Sequence, residues 1–593
     1  MNIKNKKDLK KVKKQGKRSL YPKKPKFRFG SASCGIGAGI EAAKQAMDEA
    51  RTPEKIGRSS PVGCIGACYA EPLAELYIPR KGRILFNNIK PEDGKEIMKA
   101  ANNGRISEDK VFCKVTEDNN LINNETKKFN DLPPSGKIQS PFDNNYLNKT
   151  LEKIPSINKL DYFENQKKIV LRNSGHINPE SIEEYISRGG YKGLYKSLEM
   201  NPDNIIEEIS KSKLRGRGGA GFPTGKKWKL AKEAEGETKY VISNGDEGDP
   251  GAYMDRVIME SDPHSMIEGM IIGAYTIRAE KGYIFVRNEY PQAVKRMEIA
   301  IEQAKEYGIL GKNIMGSDFD FNLEISKGGG AFVCGEETAL MSSIEGKLPN
   351  PRPRPPYPTE SGLWGKPTII NNVKSWANIP AIICRGGEFL SNIGTKRSGE
   401  TKVFSLVGDV KRRGLIEVKL GTLLKEIVID IGGADPNEAK AVQTGGPSGG
   451  FIPTKFLEIP LDFETLTELG SIMGSGGLVV MDNDTCMVDM AEYFLKFTME
   501  EGCGQCTPCR EGLERMHNIL VEITEGKANT KDLNLLRELA SYIEDASLCG
   551  LGKTAPRPVL TTLDHFDEEY REHVEKEVCQ AGVCDLTGEK KDE

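Results

Sequence analysis

The chain has 593 residues, 37% of them hydrophobic and 29% charged, with 63 Gly and 32 Pro, a composition that excludes a fibre and a wholly disordered chain. At this length several domains are expected, since single cores seldom grow beyond roughly 250–300 residues. Its 84 basic and 86 acidic residues leave a formal net charge of -2, which argues against nucleic-acid binding by bulk electrostatics.

In chain order, residues 1–29 carry a lysine- and arginine-rich run with few large apolar side chains. It reads as a solvated flexible arm, with docking on an acidic partner subunit or on nucleic acid as rival readings. No apolar stretch reaches the roughly 18–20 residues that span a bilayer, and the start lacks the apolar core of a signal peptide, so no transmembrane segment and a cytoplasmic location are expected. Residues 30–112 form a small α/β unit: KFRFGSASC is a strand entering a loop at Cys34, GIEAAKQAMDEA is helical, and EPLAELYIP with KGRILFNNI suggests a strand pair. Residues 113–165 lack periodicity and read as a linker or surface strap. In 166–395, β-prone segments such as KYVISNG, GYIFVRN and NLEISKG alternate with helical ones. Helices covering a substantially parallel sheet follow from that alternation. Residues 396–485 resemble a small α+β module, 486–575 are mostly helical, and 576–593 are a charged tail with two more cysteines.

Four constellations carry chemistry. Thirteen cysteines, an odd number clustered at close spacings, favour metal or cluster ligation over disulfides. Cys503, Cys506 and Cys509 in CGQCTPC, with Cys549 forty positions later, let three thiolates wrap one corner of a compact cluster while a remote fourth closes it. This suits a [4Fe–4S] cubane better than zinc or buried structural thiols. Second, LRGRGGAGFPTGKKW places glycines at 216, 218, 219, 221 and 225, removing side chains where backbone curls against a ligand. It is neither a dinucleotide fingerprint nor a P-loop. A flat ring system with Lys227 near its phosphate or polar edge fits the loop, and a structural turn is the alternative. Third, SNGDEGDPGAYMDR puts Asn244, Asp246, Glu247 and Asp249 after a strand, where α/β sheets bind ligands. Hydroxyl contacts to a nucleotide, magnesium binding and a solvated turn all remain open. Fourth, GGGAFVCGEETAL places Glu336 and Glu337 at a helix start, either as caps or facing a nicotinamide, and Cys334 is read as packing.

Together, RGRGGAGFPTG, NGDEGDPG, GEETAL, NNVKS and CGQCTPCREG, spread over about 166–575, resemble the flavoprotein (51-kilodalton-type) subunit of NADH dehydrogenases. Within that family the chain resembles most the beta subunit of electron-bifurcating NAD-dependent [FeFe]-hydrogenase-type complexes. The resemblance implies a multidomain α/β and α+β fold: a thioredoxin-like N-terminal domain, a Rossmann-like FMN- and NADH-binding domain, a ubiquitin-like β-grasp domain and a C-terminal helical bundle holding the cubane. It implies FMN contacts at Gly216, Gly218, Lys227, Asn244 and Asp246, and phosphate-side contacts at Asn371, Asn372 and Ser375. Phe222 would stack near the adenine, and Glu247, Glu336 and Glu337 would hold NADH. Leu230 replaces a family aromatic, Phe332 a tyrosine, and Lys374 reverses a charge.

The N-terminal unit resembles a thioredoxin-like ferredoxin domain through Cys34, Cys64 and Cys68, but the usual second cysteine after Cys34 is missing. A [2Fe–2S] cluster completed by Cys113 and a cluster-free docking scaffold are the two readings. At the far end His573, Cys579 and Cys584, with Cys486, offer a tetrahedral Zn²⁺ set; half a cluster shared with another subunit and free thiols are the alternatives.

The reaction expected is hydride exchange between NADH and FMN and single-electron exchange with clusters, a diaphorase activity. Expected partners are other iron–sulfur subunits, among them a thioredoxin-like [2Fe–2S] subunit and a hydrogenase-type catalytic subunit, with ferredoxin a further partner. An NAD-linked formate dehydrogenase, a soluble complex-I-like NADH dehydrogenase and, from another class, an assembly scaffold with a vestigial flavin site are the rival readings.

Overall fold

The computed structural model describes residues 2–132, 134 and 136–587. Along the chain, a mixed sheet, a parallel sheet, a second mixed sheet and a helical region form a multidomain α/β protein.

The first sheet joins β1 (Lys26–Gly30), β2 (Gly57–Val62), β3 (Ala74–Ile78), β4 (Gly82–Phe86) and β5 (Val111–Val115) in the order β2-β1-β3-β4-β5. Only β1 and β2 run parallel. Every residue of β3 and β4 is buried, and the two charges this traps are paired: Glu75 accepts from Arg28 at 2.6 Å and from Arg83 at 3.1 Å. Helices Ile40–Ala50 and Pro91–Asn102 cover this sheet, packing Ile40, Met47, Ile97 and Met98 on Phe27, Phe29 and Ile84.

Two expectations are corrected here. Residues 6–20 are not a free arm but a helix, Lys6–Leu20, that buries Val12, Gly16 and Leu20 against the helix Ile182–Ser187. The region read as a linker holds β5, the ribbon β6 (Glu117–Asn120) and β7 (Glu125–Lys128), and the helix Asn144–Lys153. Its order comes from specific polar partners, which leave no periodic trace: Asp118 accepts from the Tyr21 hydroxyl and from Arg188, each at 2.5 Å.

The second sheet contains β8 (Tyr240–Gly245), β9 (Lys281–Arg287), β10 (Asn322–Gly328) and β11 (Thr368–Asn372), all parallel, in the order β10-β9-β8-β11. From β8 the chain adds strands on one side, then returns to add β11 on the other. That reversal opens a crevice at the carboxyl ends of β8 and β11, the place where open α/β sheets bind ligands. The helix Pro263–Ile277 is buried around almost its whole circumference, as a helix apolar on all sides must be. It crosses the helix Val373–Arg385 closely, because a Cβ on Gly269 would lie 2.1 Å from the Trp376 carbonyl oxygen.

The third sheet has β12 (Thr401–Gly408), β13 (Gly414–Lys419), β14 (Ala439–Thr444), β15 (Gly450–Pro453) and β16 (Gly477–Asp482), in the order β13-β12-β16-β14-β15. The helical region follows, with Met487–Glu500, Thr507–Thr524, Thr530–Ala546 and Arg557–His565 around a shared core. Leu513, Met516, Leu520 and Ile523 form the buried stripe of the second of these, at the 3–4-residue spacing of one helical face. Among the described residues, no helix is long and apolar enough to cross a membrane.

Candidate functional site

The strand order brings the sequence motifs to one crevice. Asn244 of β8 and Asn372 of β11 are direct partners in the parallel register. Asn244 donates to the Gly335 carbonyl at 2.8 Å and accepts the Asp246 N–H at 3.1 Å, tying the β8 loop to the 328–340 loop. Asn372 caps the helix Val373–Arg385 by accepting the Lys374 N–H at 2.9 Å, and its amide donates to Asp255 at 2.5 Å. Asn371 is buried beside the Trp228 indole.

The glycine-rich loop closes on itself through Gly216 N–H to Phe222 O at 2.8 Å and Thr224 N–H to Leu214 O at 2.9 Å. Gly219 and Gly221 adopt φ of 134° and 64°, values that favour glycine. A Cβ on Gly218 would press to 3.3 Å from Asn372. Ser375 accepts the Arg217 N–H at 2.9 Å and so anchors the loop to the β11 side. Lys227 donates to Glu337 at 2.6 Å and to the Ile370 carbonyl at 3.0 Å. Burial alone would raise the Glu337 carboxyl, but Lys227 and Arg354 outweigh it and hold it below its ordinary value. Phe222 is exposed on the loop with the Lys226 ammonium 5.9 Å from its ring centre, and Leu230 is also exposed.

The acidic residues divide by what they touch. Asp246 is buried 3.9 Å from Arg287 with neither carboxylate oxygen hydrogen-bonded, and burial, only partly offset by Arg287, pushes it up to about 7. Glu247 accepts the Asp255 and Arg256 N–H groups at 3.0 and 3.1 Å, capping the helix Met254–Ser261. Glu336 likewise caps Glu337–Ile344, accepting from Thr338 and Ala339 at 2.8 and 3.0 Å. Asp249 accepts from Ser475 at 2.5 Å. Of these four carboxylates Asp246 is the one without a hydrogen-bond partner, and the glycine cradle, Lys227 and this unpartnered carboxylate fit a flavin mononucleotide. Sequence reasoning missed the buried Lys374–Asp255 ion pair at 2.8 Å, whose members lie on different motifs with no local signal joining them.

The crevice abuts the helical region. The Phe332 N–H donates to the Glu501 carboxylate at 2.7 Å, the Val333 N–H to the Glu501 carbonyl at 3.2 Å, and the Phe332 and Phe497 rings meet edge to face at 5.6 Å. Cys506 precedes the first turn of Thr507–Thr524, Cys509 lies within it, and the buried Cys549 precedes the short helix Gly550–Thr554. Burial first, then the neighbouring Cys506, Cys549 and Cys503, push the Cys509 thiol up to about 12. A thiol raised in this way ionises beside a cationic centre, and Cys503, Cys506, Cys509 and Cys549 fit a cubane.

Two other sets are drawn tighter. Among the described residues, donors within 4.8 Å of one another occur at Cys486, His573, Cys579 and Cys584 and at Cys34, Cys64 and Cys68, and the cubane cysteines do not cluster this closely. In the first set Cys486 Sγ lies 3.5 Å from His573 Nε2 and 3.7 Å from Cys584 Sγ, while His573 Nδ1 bonds the Glu569 carbonyl at 2.7 Å. That bond leaves Nε2 as the ring nitrogen that faces the sulfurs and could hold a metal. Hydrogen bonding from Cys584, with His573 beside it, pulls Cys486 down to about 4. Cys113 belongs to neither set; it sits in β5 opposite Leu85.

Comparison with known proteins matches residues 209–381 to the Nuo51 FMN-binding domain and residues 489–573 to the NADH-ubiquinone oxidoreductase-F iron–sulfur binding region. The NADP-reducing hydrogenase subunit HndC of Solidesulfovibrio fructosivorans is 53% identical over 421 residues, 71% of this chain and 86% of that protein. The second F-type subunit of the NADH-quinone oxidoreductase of Rhizobium meliloti is 45% identical over 414 residues, 69% of this chain and 98% of its own. Among solved structures, a chain of an NAD+-reducing [NiFe]-hydrogenase in the H2-reduced state superimposes with a TM-score of 0.63 at 26% identity, covering 96% of this chain and 90% of that one. The expected placement nearest an [FeFe]-hydrogenase beta subunit is overturned by these matches, which lie with HndC, an NADH-quinone oxidoreductase and a [NiFe]-hydrogenase chain. The motifs behind that placement build the nucleotide and cubane sites, and neither site depends on which metals a partner hydrogenase holds.

Proposed function

Because this chain belongs to the 51-kilodalton-type flavoprotein family of NADH dehydrogenases, we propose that it works as the nucleotide-oxidising entry point of a hydrogenase-type or complex-I-type iron–sulfur assembly. It is an NADH-, FMN- and iron–sulfur-binding oxidoreductase subunit. Bound flavin supplies the conversion between a hydride, which carries two electrons together, and the single electrons a cluster accepts. In our reading Asp246 accepts ribityl hydroxyls, and the 214–228 loop amides and Ser375 line the phosphate side. Asn244, Asn371 and Asn372 shape the floor between β8 and β11. Glu337, steered by Lys227 and Arg354, faces the entering nucleotide, with Phe222 as the stacking surface for its adenine. Glu247 and Glu336 act by fixing the helices that carry these groups.

One observation carries the proposal: the 328–336 segment touches the crevice at Asn244 and the cluster-bearing region at Glu501, so the two redox sites share a wall. The finer assignments we propose are a thioredoxin-like first sheet, a β-grasp third sheet, and zinc at Cys486, His573, Cys579 and Cys584. The test is anaerobic addition of NADH to the purified, FMN-loaded chain. The flavin absorbance should bleach and a reduced-cluster paramagnetic signal should follow. With Cys549→Ser the bleaching should persist and the cluster signal should vanish. Retention of flavin colour on NADH addition would overturn the reading.

A further inference from the structure

The flavin and cubane leave the N-terminal cysteine set unused. Cys34 follows β1, Cys64 and Cys68 follow β2, and their three sulfurs lie within 4.8 Å of one another, Cys64 and Cys68 at 3.9 Å. That spacing discriminates between the two kinds of centre cysteines hold. In a [2Fe–2S] rhomb each iron carries two protein ligands, so three thiolates must divide between two metal atoms and one faces the others across the cluster. Three thiolates on a single tetrahedral ion, with bonds near 2.3 Å, sit about 3.8 Å apart. The N-terminal thiols match the single ion. The same chain supplies the contrast, because its four cubane cysteines are not drawn together in this way.

The other donors agree. Among the described residues no fourth thiol, imidazole or carboxylate lies within 4.8 Å of all three sulfurs, and a carboxylate adjoins the set at one corner: Glu71 Oε1 lies 3.7 Å from Cys34 Sγ. Glu71 is buried and fixed in place, its Oε2 accepting the Leu73 N–H at 2.8 Å, and Cβ atoms on Gly30 and Gly35 would approach the carboxylate to 3.2 and 3.1 Å. We propose that this is a mononuclear site for a thiophilic divalent ion, zinc by its donors, held by the three thiolates of Cys34, Cys64 and Cys68 with the buried Glu71 carboxylate beside Cys34, in place of the [2Fe–2S] cluster the family resemblance implies. Binding releases the thiol protons to solvent and moves no electrons.

The position gives the ion a task. The Cys64 N–H donates to Ser261 Oγ at 3.1 Å and the Ser33 N–H to Glu260 at 2.7 Å. Both acceptors end the helix Met254–Ser261, whose other end carries Asp255, paired at the crevice with Lys374 of the helix Val373–Arg385. The Gly66 carbonyl accepts from Leu415 of β13 and from the Tyr162 hydroxyl, each at 2.8 Å. The ion therefore clamps the N-terminal unit onto the flavin-side helix and the third sheet.

The test uses the full chain carrying Cys579→Ser and Cys584→Ser, which empties the other zinc set. Elemental analysis should give one zinc per chain, with iron at the content of one cubane, and zinc-edge absorption should show three sulfur neighbours. Adding Cys64→Ser and Cys68→Ser should remove the zinc and leave the iron content unchanged. Two extra irons with the dichroism of a [2Fe–2S] cluster, a zinc-free chain, or a Cys64–Cys68 disulfide in peptide mapping would each overturn the proposal. If the added variant does not fold, the sulfur count in the first protein decides alone. Flavin bleaching reports the function above independently of this result.

Discussion

Asp246 carries the sharpest consequence for a single side chain. Its carboxylate is buried beside Arg287 with both oxygens unbonded, and its pKa rises from 3.8 to about 7. Between those values the folded chain holds a proton that the unfolded chain has lost, so this group makes stability fall as pH rises through that window. At 1.36 kcal/mol per unit the effect is on the order of 4 kcal/mol. Asp246→Asn should therefore raise the melting temperature of the FMN-free chain at pH 7–8, with the gain shrinking toward pH 4. It should also weaken FMN binding by roughly tenfold to a hundredfold, since a hydrogen bond to a charged acceptor contributes about 1.5–3 kcal/mol. Melting curves across pH and an FMN titration check both; a gain equal at every pH would show that burial of the charge is not its cause. Asp246 was legible in the sequence as an acidic residue following a β-prone run. Its neighbours were not: Lys374 and Asp255 pair across 119 positions, and only the strand order makes them meet. Glu247 and Glu336 likewise carry no local mark that separates a helix cap from a ligand contact.

Elements built on apolar periodicity were the readable ones, as with the alternating segments that became β8, β9 and β10 and the helices between them. The helix Lys6–Leu20 shows why others were missed. Its lysines dominate the composition, and one of its contact residues is Gly16, which no hydrophobicity pattern registers. A Cβ at Gly16 would lie 1.8 Å from the Glu183 carbonyl oxygen and 2.9 Å from the Ser187 Cβ. Gly to Ala in a helix ordinarily gains up to about 1 kcal/mol, but here the obstacle is backbone that cannot yield, and overpacking costs about 1–3 kcal/mol. Gly16→Val should therefore lower stability by about 1–3 kcal/mol and expose the first twenty or so residues to protease. Lys14→Val, on the exposed side of the same helix, should do neither. Limited proteolysis with mass spectrometry distinguishes them, and equal cleavage of the two variants would refute the docked helix.

Across the whole molecule, motifs revealed which cofactors to expect but not how their sites are joined. The junction is made by Glu501, a residue of no recognisable motif, whose carboxylate takes the Phe332 N–H at 2.7 Å while its carbonyl takes the Val333 N–H at 3.2 Å. The same loop reaches Asn244 through the Gly335 carbonyl, so Glu501 sets how the cluster region sits against the crevice. Glu501→Ala should cost about 1.5–3 kcal/mol, the worth of a hydrogen bond to a charged group. Because the loop then loses its hold on the helical region and not on β8, the variant should bleach at the wild-type rate on mixing with NADH and reduce its cluster more slowly. Glu501→Gln keeps an acceptor for the Phe332 N–H and should restore most of that second rate. Rapid mixing followed at the flavin absorbance, with freeze-quenched cluster spectra, separates the two steps. If both steps slow in parallel, or if Gln fails where Ala fails, Glu501 is a general support of the fold and the junction lies elsewhere.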